Sequence, residues 1–283
     1  MHYTWYTNFM TYKKSIVKWL GNKIRVMDAL QQHIGNPNTF VEPFGGSFVV
    51  SLNTSATEYR IGDINSDIID LYNAVLFDEN FIDTAKQYYI NGIDREKFNK
   101  IRDEFNETRS PYLFLYLNRH CFNGLTRYNK SGNYNSPFGE YDKVHFPEEE
   151  IKNFKNKFSG VTFKNTSFND PSYYTDLGEG DVVYFDPPYL PASETANFTA
   201  YTKEGFSMEQ QEELADICQS LASNGVRVVV SNHDVPMART LYKGAKFQQI
   251  SVTRSISASA GSRKKASEIF AVWNGNYNRL FEF

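Results

Sequence analysis

The stretch from Asp181 to Tyr189 constrains this chain most. Asp181-Val182-Val183-Tyr184-Phe185 is an apolar run with the length and residue types of a buried strand. Pro187 and Pro188 then stop it, because neither can donate to a ladder and both fix φ. An acidic side chain (Asp186), a free carbonyl (Pro187) and an aromatic ring (Tyr189) are thereby held at the carboxyl end of a strand. In an open α/β sheet that edge is where ligands bind. A carboxylate and a carbonyl can both accept hydrogen bonds from one –NH2 while a ring stacks on the flat group that carries it. The corner therefore suits activation of an exocyclic amino group. Such chemistry needs two further parts, a site for a methyl donor and a means of presenting a base.

The N-terminal third offers the first part. Residues 1–15 have no periodic pattern, and Ile24, Met27, Leu30 and Ile34 then share one face of an expected helix. Thr39 to Ser47 reads as a short strand running into a Gly45-Gly46-Ser47 turn, followed by a helix from Phe48. Strand, glycine turn and helix cradle nucleotide-type cofactors, although an ordinary tight turn has the same composition. Tyr59 to Asn65 reads as a second strand ending in Asp63. That lies about 20 residues beyond the glycines, where a carboxylate binds ribose hydroxyls in dinucleotide folds. An Asp capping the next helix is the alternative, with Asn65 or Ser66 also able to cap it.

The second part would come from the middle of the chain. Residues 80–119 keep a helical period without a strand signal, so the α/β alternation is interrupted. Between 121 and 141 aromatics alternate with Asn, Arg and Lys, and Lys130-Ser131-Gly132-Asn133 offers a hairpin turn. An exposed ribbon of that kind suits reading and wedging DNA, and a solvated loop packed by its own rings is the alternative. A helix over 147–158 and a strand over 161–164 follow. Beyond Tyr189 a Ser207–Gln210 capping box opens a helix to about Ser223, and strands are expected at 226–230, 247–254 and 268–273.

Composition removes several classes. The 283 residues include 23 Phe and 19 Tyr, enough for a sizeable core, yet no apolar run reaches the roughly 18 residues a membrane span requires. Two cysteines without CxxC spacing and five scattered histidines predict a reducing, cytoplasmic setting and no metal centre. Met1 to Trp5 lacks the charged and apolar regions of a secretory signal. The net charge of −3 does not advertise nucleic-acid binding, but basic residues cluster at Lys13–Arg25 and at Arg254–Lys265.

An ordered series of motifs resembles the Dam-type DNA adenine-N6 methyltransferases. It comprises Lys18-Trp19 with Lys23, Val41-Glu42-Pro43-Phe44, Asp63 to Asp67, Leu117-Asn118-Arg119, Asn123-Gly124-Leu125 with Arg127-Tyr128-Asn129, and Pro137-Phe138-Gly139. It continues with Asp186 to Tyr189, Ala196 to Tyr201, Ser231 to Asp234 and Arg254 to Ser257. The resemblance implies an α/β fold: a Rossmann-like S-adenosylmethionine-dependent methyltransferase sheet with an inserted, mainly helical target-recognition domain carrying a β-hairpin. Residues 1–79 and 159–283 would form the catalytic domain and 80–158 the DNA-binding insertion. Trp19, Lys23, Pro43, Phe44, Asp63 and Asp186 match the family's S-adenosylmethionine positions. Lys18, Phe122, Asn123, Leu125, Arg127, Pro137, Tyr141 and Arg254 match positions that meet DNA, with GATC as the implied target. Asp186, Pro187 and Tyr189 would be catalytic, with S-adenosylhomocysteine as by-product and double-stranded DNA as partner; neither a metal nor an obligatory protein partner is expected. Four positions depart from the pattern. Phe48 replaces the last glycine of the cofactor turn, Phe122 stands where a Tyr wedge is common, and Glu140 and Asp142 stand where basic residues often touch phosphate.

Overall fold

Short apolar runs become the parallel heart of a twisted sheet in the computed structural model, which describes residues 11–90, 92, 94–191, 206–252 and 266–274. The strands are β1 (Thr39–Glu42), β2 (Glu58–Asp63), β3 (Lys164–Asn165), β4 (Val182–Phe185), β5 (Arg227–His233), β6 (Lys246–Val252) and β7 (Ala266–Trp273). Among the described residues they form one seven-stranded sheet in the order β3-β2-β1-β4-β5-β7-β6. The β3-β2-β1-β4-β5 pairings are parallel, and β7 runs antiparallel between β5 and β6. From β1 the chain winds outward to β2 and β3, then returns to β4 and winds the other way. The carboxyl ends of β1 and β4 therefore flank the point where the strand order reverses, the place where open α/β sheets bind ligands.

Both faces of the central strands are covered. Alternate residues point to opposite sides of a strand. Val41, Val183, Phe185, Val228 and Val230 face the cluster that takes in Leu214, Cys218 and Leu221 of one long helix. Phe40, Val182, Tyr184 and Val229 face the cluster of Met27, Leu30, Ile34, Val49 and Val50. The helices behind these contacts are α1 (Met27–Ile34), α2 (Val49–Asn53), α3 (Ser66–Phe77), α4 (Phe81–Gln87), α5 (Arg95–Thr108), α6 (Pro111–His120), α7 (Glu148–Lys157), α8 (Met208–Ser223) and α9 (Pro236–Leu241). The capping box expected at α8 is present: the Ser207 hydroxyl accepts from Gln210 N, and the Gln210 side chain accepts from Ser207 N.

Helices α4 to α7 occupy the region expected to be helical, and their rings do not make a core of their own. Phe98, Phe105, Phe114, Tyr116 and Phe154 join Phe48, Leu52, Ile61, Ile68 and Tyr72 in one buried cluster. Two strand expectations are shortened. The ribbon at 121–141 pairs only at the bridges Cys121–Phe138 and Tyr128–Tyr134. Between them the Ser136 hydroxyl accepts from Arg127 N (2.9 Å) and donates to the Leu125 carbonyl, so a side chain occupies groups a ladder would use. The strand expected over 161–164 shrinks to β3, because the Asn73 amide takes both backbone groups of Phe163 (3.0 and 3.1 Å).

Candidate active site

The Asp-Pro-Pro-Tyr corner sits at the end of β4, beside the end of β1. Lys23, only 6 % exposed, directs its ammonium at Asp186 Oδ2 (2.5 Å) and at the Gly21 carbonyl (2.7 Å). Its Nζ also lies 5.2 Å from the centre of the Tyr189 ring. Burial pushes the Asp186 carboxyl above its ordinary range, and the Lys23 charge and hydrogen bond pull it back. The other carboxylate oxygen, Oδ1, is buried and has no hydrogen-bond partner among the described residues. A buried, partnerless acceptor is costly to a fold unless a ligand satisfies it. Asp186 is thus held by one oxygen and presents the other.

Glu42, the last residue of β1, is 2 % exposed and close to this pair. Its Oε2 accepts from Ser51 N (3.0 Å) and from the Ser51 hydroxyl. Burial pushes the Glu42 carboxyl up to about 8, against those two hydrogen bonds and with help from the negative Asp186. A neutral Glu42 leaves the Lys23 charge to Asp186 alone. The sequence reading quoted Glu42 in a motif without giving it a role.

The turn after β1 has the geometry of a cradle. Gly46 has φ +47°, and a Cβ there would lie 2.6 Å from the Trp19 indole nitrogen. A Cβ on Gly45 would lie 1.8 Å from the Phe48 ring. Phe48 itself is left-handed (φ 52°) and fully buried, edge-on to Tyr72 (5.0 Å) and Phe163 (4.7 Å). At the position where the family pattern has its last glycine, this chain has a left-handed residue whose ring lies in the core. Asp63, at the end of β2, accepts from Gly46 N (2.9 Å) and Asn65 N (2.9 Å). The helix-capping role falls to Asn65, whose side chain accepts from Ile68 N (3.2 Å). Burial pushes the Asp63 carboxyl up while these bonds draw it down.

Phe44 forms the wall between turn and corner. It stacks on Phe168 (5.3 Å) and meets Phe206 edge-on (5.5 Å). Phe168 and Phe206 were not legible as site residues, since nothing in their neighbourhood distinguishes them from core aromatics. Pro43 is buried beside Phe44. The partnerless Asp186 oxygen, the Gly45-Gly46 cradle, the Asp63 carboxylate and the aromatic wall together fit a nucleoside-bearing cofactor.

Most of the residues expected to meet DNA lie in the ribbon or against it. Lys18 Nζ lies 4.2 Å from the centre of the Tyr141 ring and donates to the Arg119 carbonyl (3.1 Å). Burial, with Arg119 nearby, pulls the Lys18 ammonium below its ordinary range. The Tyr141 hydroxyl accepts from Asn123 N (2.9 Å) and donates to the Cys121 carbonyl (3.0 Å). Asn123 is left-handed (φ 51°), and Phe122 beside it is 52 % exposed. Phe122 N donates to the Pro137 carbonyl (2.9 Å), while Arg127 donates to Asn135 Oδ1 (2.9 Å) and O (3.0 Å). Leu125 is joined to the far side of the ribbon through Ser136. Glu140 pairs with Arg95 (2.6 Å), both well exposed. Arg254 and the basic segment up to Lys265 lie outside the described residues, as does Ala196 to Tyr201.

The chain is similar to known proteins over most of its length. Residues 19–256 match the family described as D12 class N6 adenine-specific DNA methyltransferase. A DNA adenine methylase of Escherichia coli K12 is 40 % identical over 270 residues, covering 93 % of this chain and 96 % of that protein. DNA adenine methylases of Serratia marcescens (40 % over 271 residues, 93 % of this chain and 100 % of that protein) and Vibrio cholerae El Tor (38 % over 271, 93 % and 97 %) are similar in extent.

Proposed function

This chain belongs to the D12 class of N6 adenine-specific DNA methyltransferases, and we propose that it methylates N6 of a flipped-out adenine within GATC in duplex DNA, using S-adenosylmethionine. The observation that carries the reading is the divided carboxylate of Asp186, with Oδ2 held by Lys23 and Oδ1 buried without a hydrogen-bond partner among the described residues. An adenine inside a duplex is out of reach, so the base leaves the stack at a cost of roughly a few kcal/mol. Tyr189 stacks on it. Asp186 Oδ1 and the Pro187 carbonyl accept hydrogen bonds from the amino group, which localises the N6 lone pair for attack on a methyl carbon. Lys23 favours the ionised form of Asp186 against the desolvation of its site.

When bound, S-adenosylmethionine supplies an electrophilic sulfonium methyl group and leaves as S-adenosylhomocysteine. Trp19, Lys23, Pro43, Phe44, Asp63 and Asp186 are the residues assigned to hold it. Lys18, Phe122, Asn123, Leu125, Arg127, Pro137 and Tyr141 are assigned to DNA, on an 80–158 segment that serves target recognition, and Arg254 to phosphate. The setting assigned to the reaction is the cytoplasm.

The test is methyl transfer from labelled S-adenosylmethionine to duplexes with and without GATC, followed by nucleoside analysis. N6-methyladenine confined to GATC is expected, with activity lost in Asp186→Ala. Label in cytosine, or activity that survives Asp186→Ala, would overturn the assignment. Label scattered over other adenines would remove the GATC specificity and leave the chemistry.

A further inference from the structure

The backbone of the Asp-Pro-Pro-Tyr corner is held by a chain of three side chains outside the residues assigned to catalysis, cofactor and DNA. Gln211 of α8, Asn232 of β5 and Tyr242, just after α9, are each fully buried. Gln211 Nε2 donates to the Pro188 carbonyl (2.8 Å), and Asn232 Oδ1 accepts from Leu190 N (2.9 Å). These two bonds grip the backbone on either side of Tyr189. Tyr242 joins them: its hydroxyl accepts from Asn232 Nδ2 (3.1 Å) and donates to Gln211 Oε1 (3.2 Å).

The direction of this chain is fixed by its ends. The Pro188 carbonyl can only accept, so Gln211 must turn its –NH2 toward it and its oxygen toward Tyr242. The Leu190 N–H can only donate, so Asn232 must turn its oxygen toward it and its –NH2 toward Tyr242. The middle position then needs a group that accepts on one side and donates on the other, which a hydroxyl does. Asn232 Oδ1 accepts a second bond from His233 N (2.8 Å), and the His233 ring meets the Leu190 carbonyl through Nδ1 (2.6 Å). Buried polar groups are costly when partly satisfied and specify one geometry when fully satisfied.

We infer that Gln211, Tyr242 and Asn232 are positioning residues for methyl transfer, a directed hydrogen-bond chain that holds Tyr189 and the Pro187 carbonyl in register with Asp186. The inference rests on the corner being where adenine N6 is activated. The chain acts where reacting groups must lie within fractions of an ångström, so its loss falls on turnover more than on binding.

The decisive variant is Tyr242→Phe in the full chain, which keeps the ring and removes the hydroxyl. Turnover per active site, from a pre-steady-state burst, is expected to fall about tenfold or more, while cofactor Kd and the KM for GATC duplex stay within about twofold. Gln211→Met, which releases Pro188 without opening a cavity, gives the same split, and the double variant is expected to lose no more than the worse single, as members of one unit do. A duplex with 2-aminopurine at the target adenine reports the stacking directly: its fluorescence on binding should differ from wild type in both variants. Turnover per active site within twofold of wild type in Gln211→Met and Tyr242→Phe would overturn the inference, as would a loss seen only as a smaller active fraction. Wild-type protein that transfers no methyl group would instead sink the reading of the corner itself.

Discussion

Glu42 shows how a single buried side chain sets the electrostatics of the corner. Its carboxyl is pushed to about 8 by burial from an ordinary 4.5, so in the folded protein it stays neutral at a pH where the unfolded chain ionises it. The stability linked to this group is therefore complete below pH 4.5 and is lost as pH rises toward about 8. Glu42→Gln removes the titration yet keeps an oxygen for the Ser51 N–H and hydroxyl. Its melting temperature relative to wild type is expected to climb from pH 4.5 to about 8 and then level off, by about 2–4 °C per kcal/mol for a chain of this size. A pH-independent difference between the two proteins would show that Glu42 ionises in the folded state as it does in the unfolded one. Phe48 shows the opposite economy, a left-handed backbone kept without glycine because its ring is worth more in the core than the strain costs.

Among the elements, the ribbon depends on α5 and α3 as much as on its own turn. Arg109 caps α5 in the left-handed region (φ 54°), and its guanidinium reaches Gly132 O at the ribbon tip (2.7 Å) and Asp67 in the first turn of α3 (3.4 Å). The strand-to-helix junction that carries Asp63 is thereby tied to the segment assigned to DNA. Arg109→Ala is expected to raise the KM for GATC duplex several-fold while cofactor Kd stays within about twofold. Arg109→Gly should share that kinetic defect yet melt higher than the Ala variant, since glycine relieves a left-handed cost of about 1–2 kcal/mol. A weakened cofactor Kd with an unchanged DNA KM would place the function of Arg109 at the α3 end of its reach instead. The ribbon's tip turn is held locally as well: the Asn129 side chain accepts from Ser131 N (2.9 Å) and Asn133 N (3.0 Å).

Across the whole molecule, charge is the unusual feature of a protein that works on DNA. The chain carries 33 acidic residues against 30 Lys and Arg, and Glu140 lies in the ribbon segment assigned to DNA. Its pair with Arg95 is exposed on both sides, so it adds little to folding while it neutralises an exposed cation. Glu140→Lys should tighten binding to any duplex and steepen its salt dependence by about one counterion, with GATC preference unchanged. Equal affinity and slope in titrations of the two proteins at several salt concentrations would mean that this edge of the ribbon does not approach phosphate.

Much of this was legible in the chain before folding, and the reasons differ by residue. The apolar strands, the α8 capping box, the glycine turn and the rigid corner at Asp186 follow from local sterics and periodicity, which neighbours in sequence decide. The shortened ribbon was not legible, because the Ser136 hydroxyl that interrupts it competes for backbone groups 9 and 11 residues away. The strand at 161–164 failed for the same reason, with its partner 90 residues distant. The order of the motifs pointed to adenine chemistry, yet gave Lys23 only a place in the cofactor pocket. Tertiary structure set its ammonium against Asp186, left the other carboxylate oxygen buried without a partner among the described residues, buried Glu42 nearby, and linked Gln211, Tyr242 and Asn232 to the corner's backbone. Burial and long-range hydrogen bonding decide those matters. Both are properties of which strands lie side by side, and a linear string of residues states only what each position is able to donate, accept or hide.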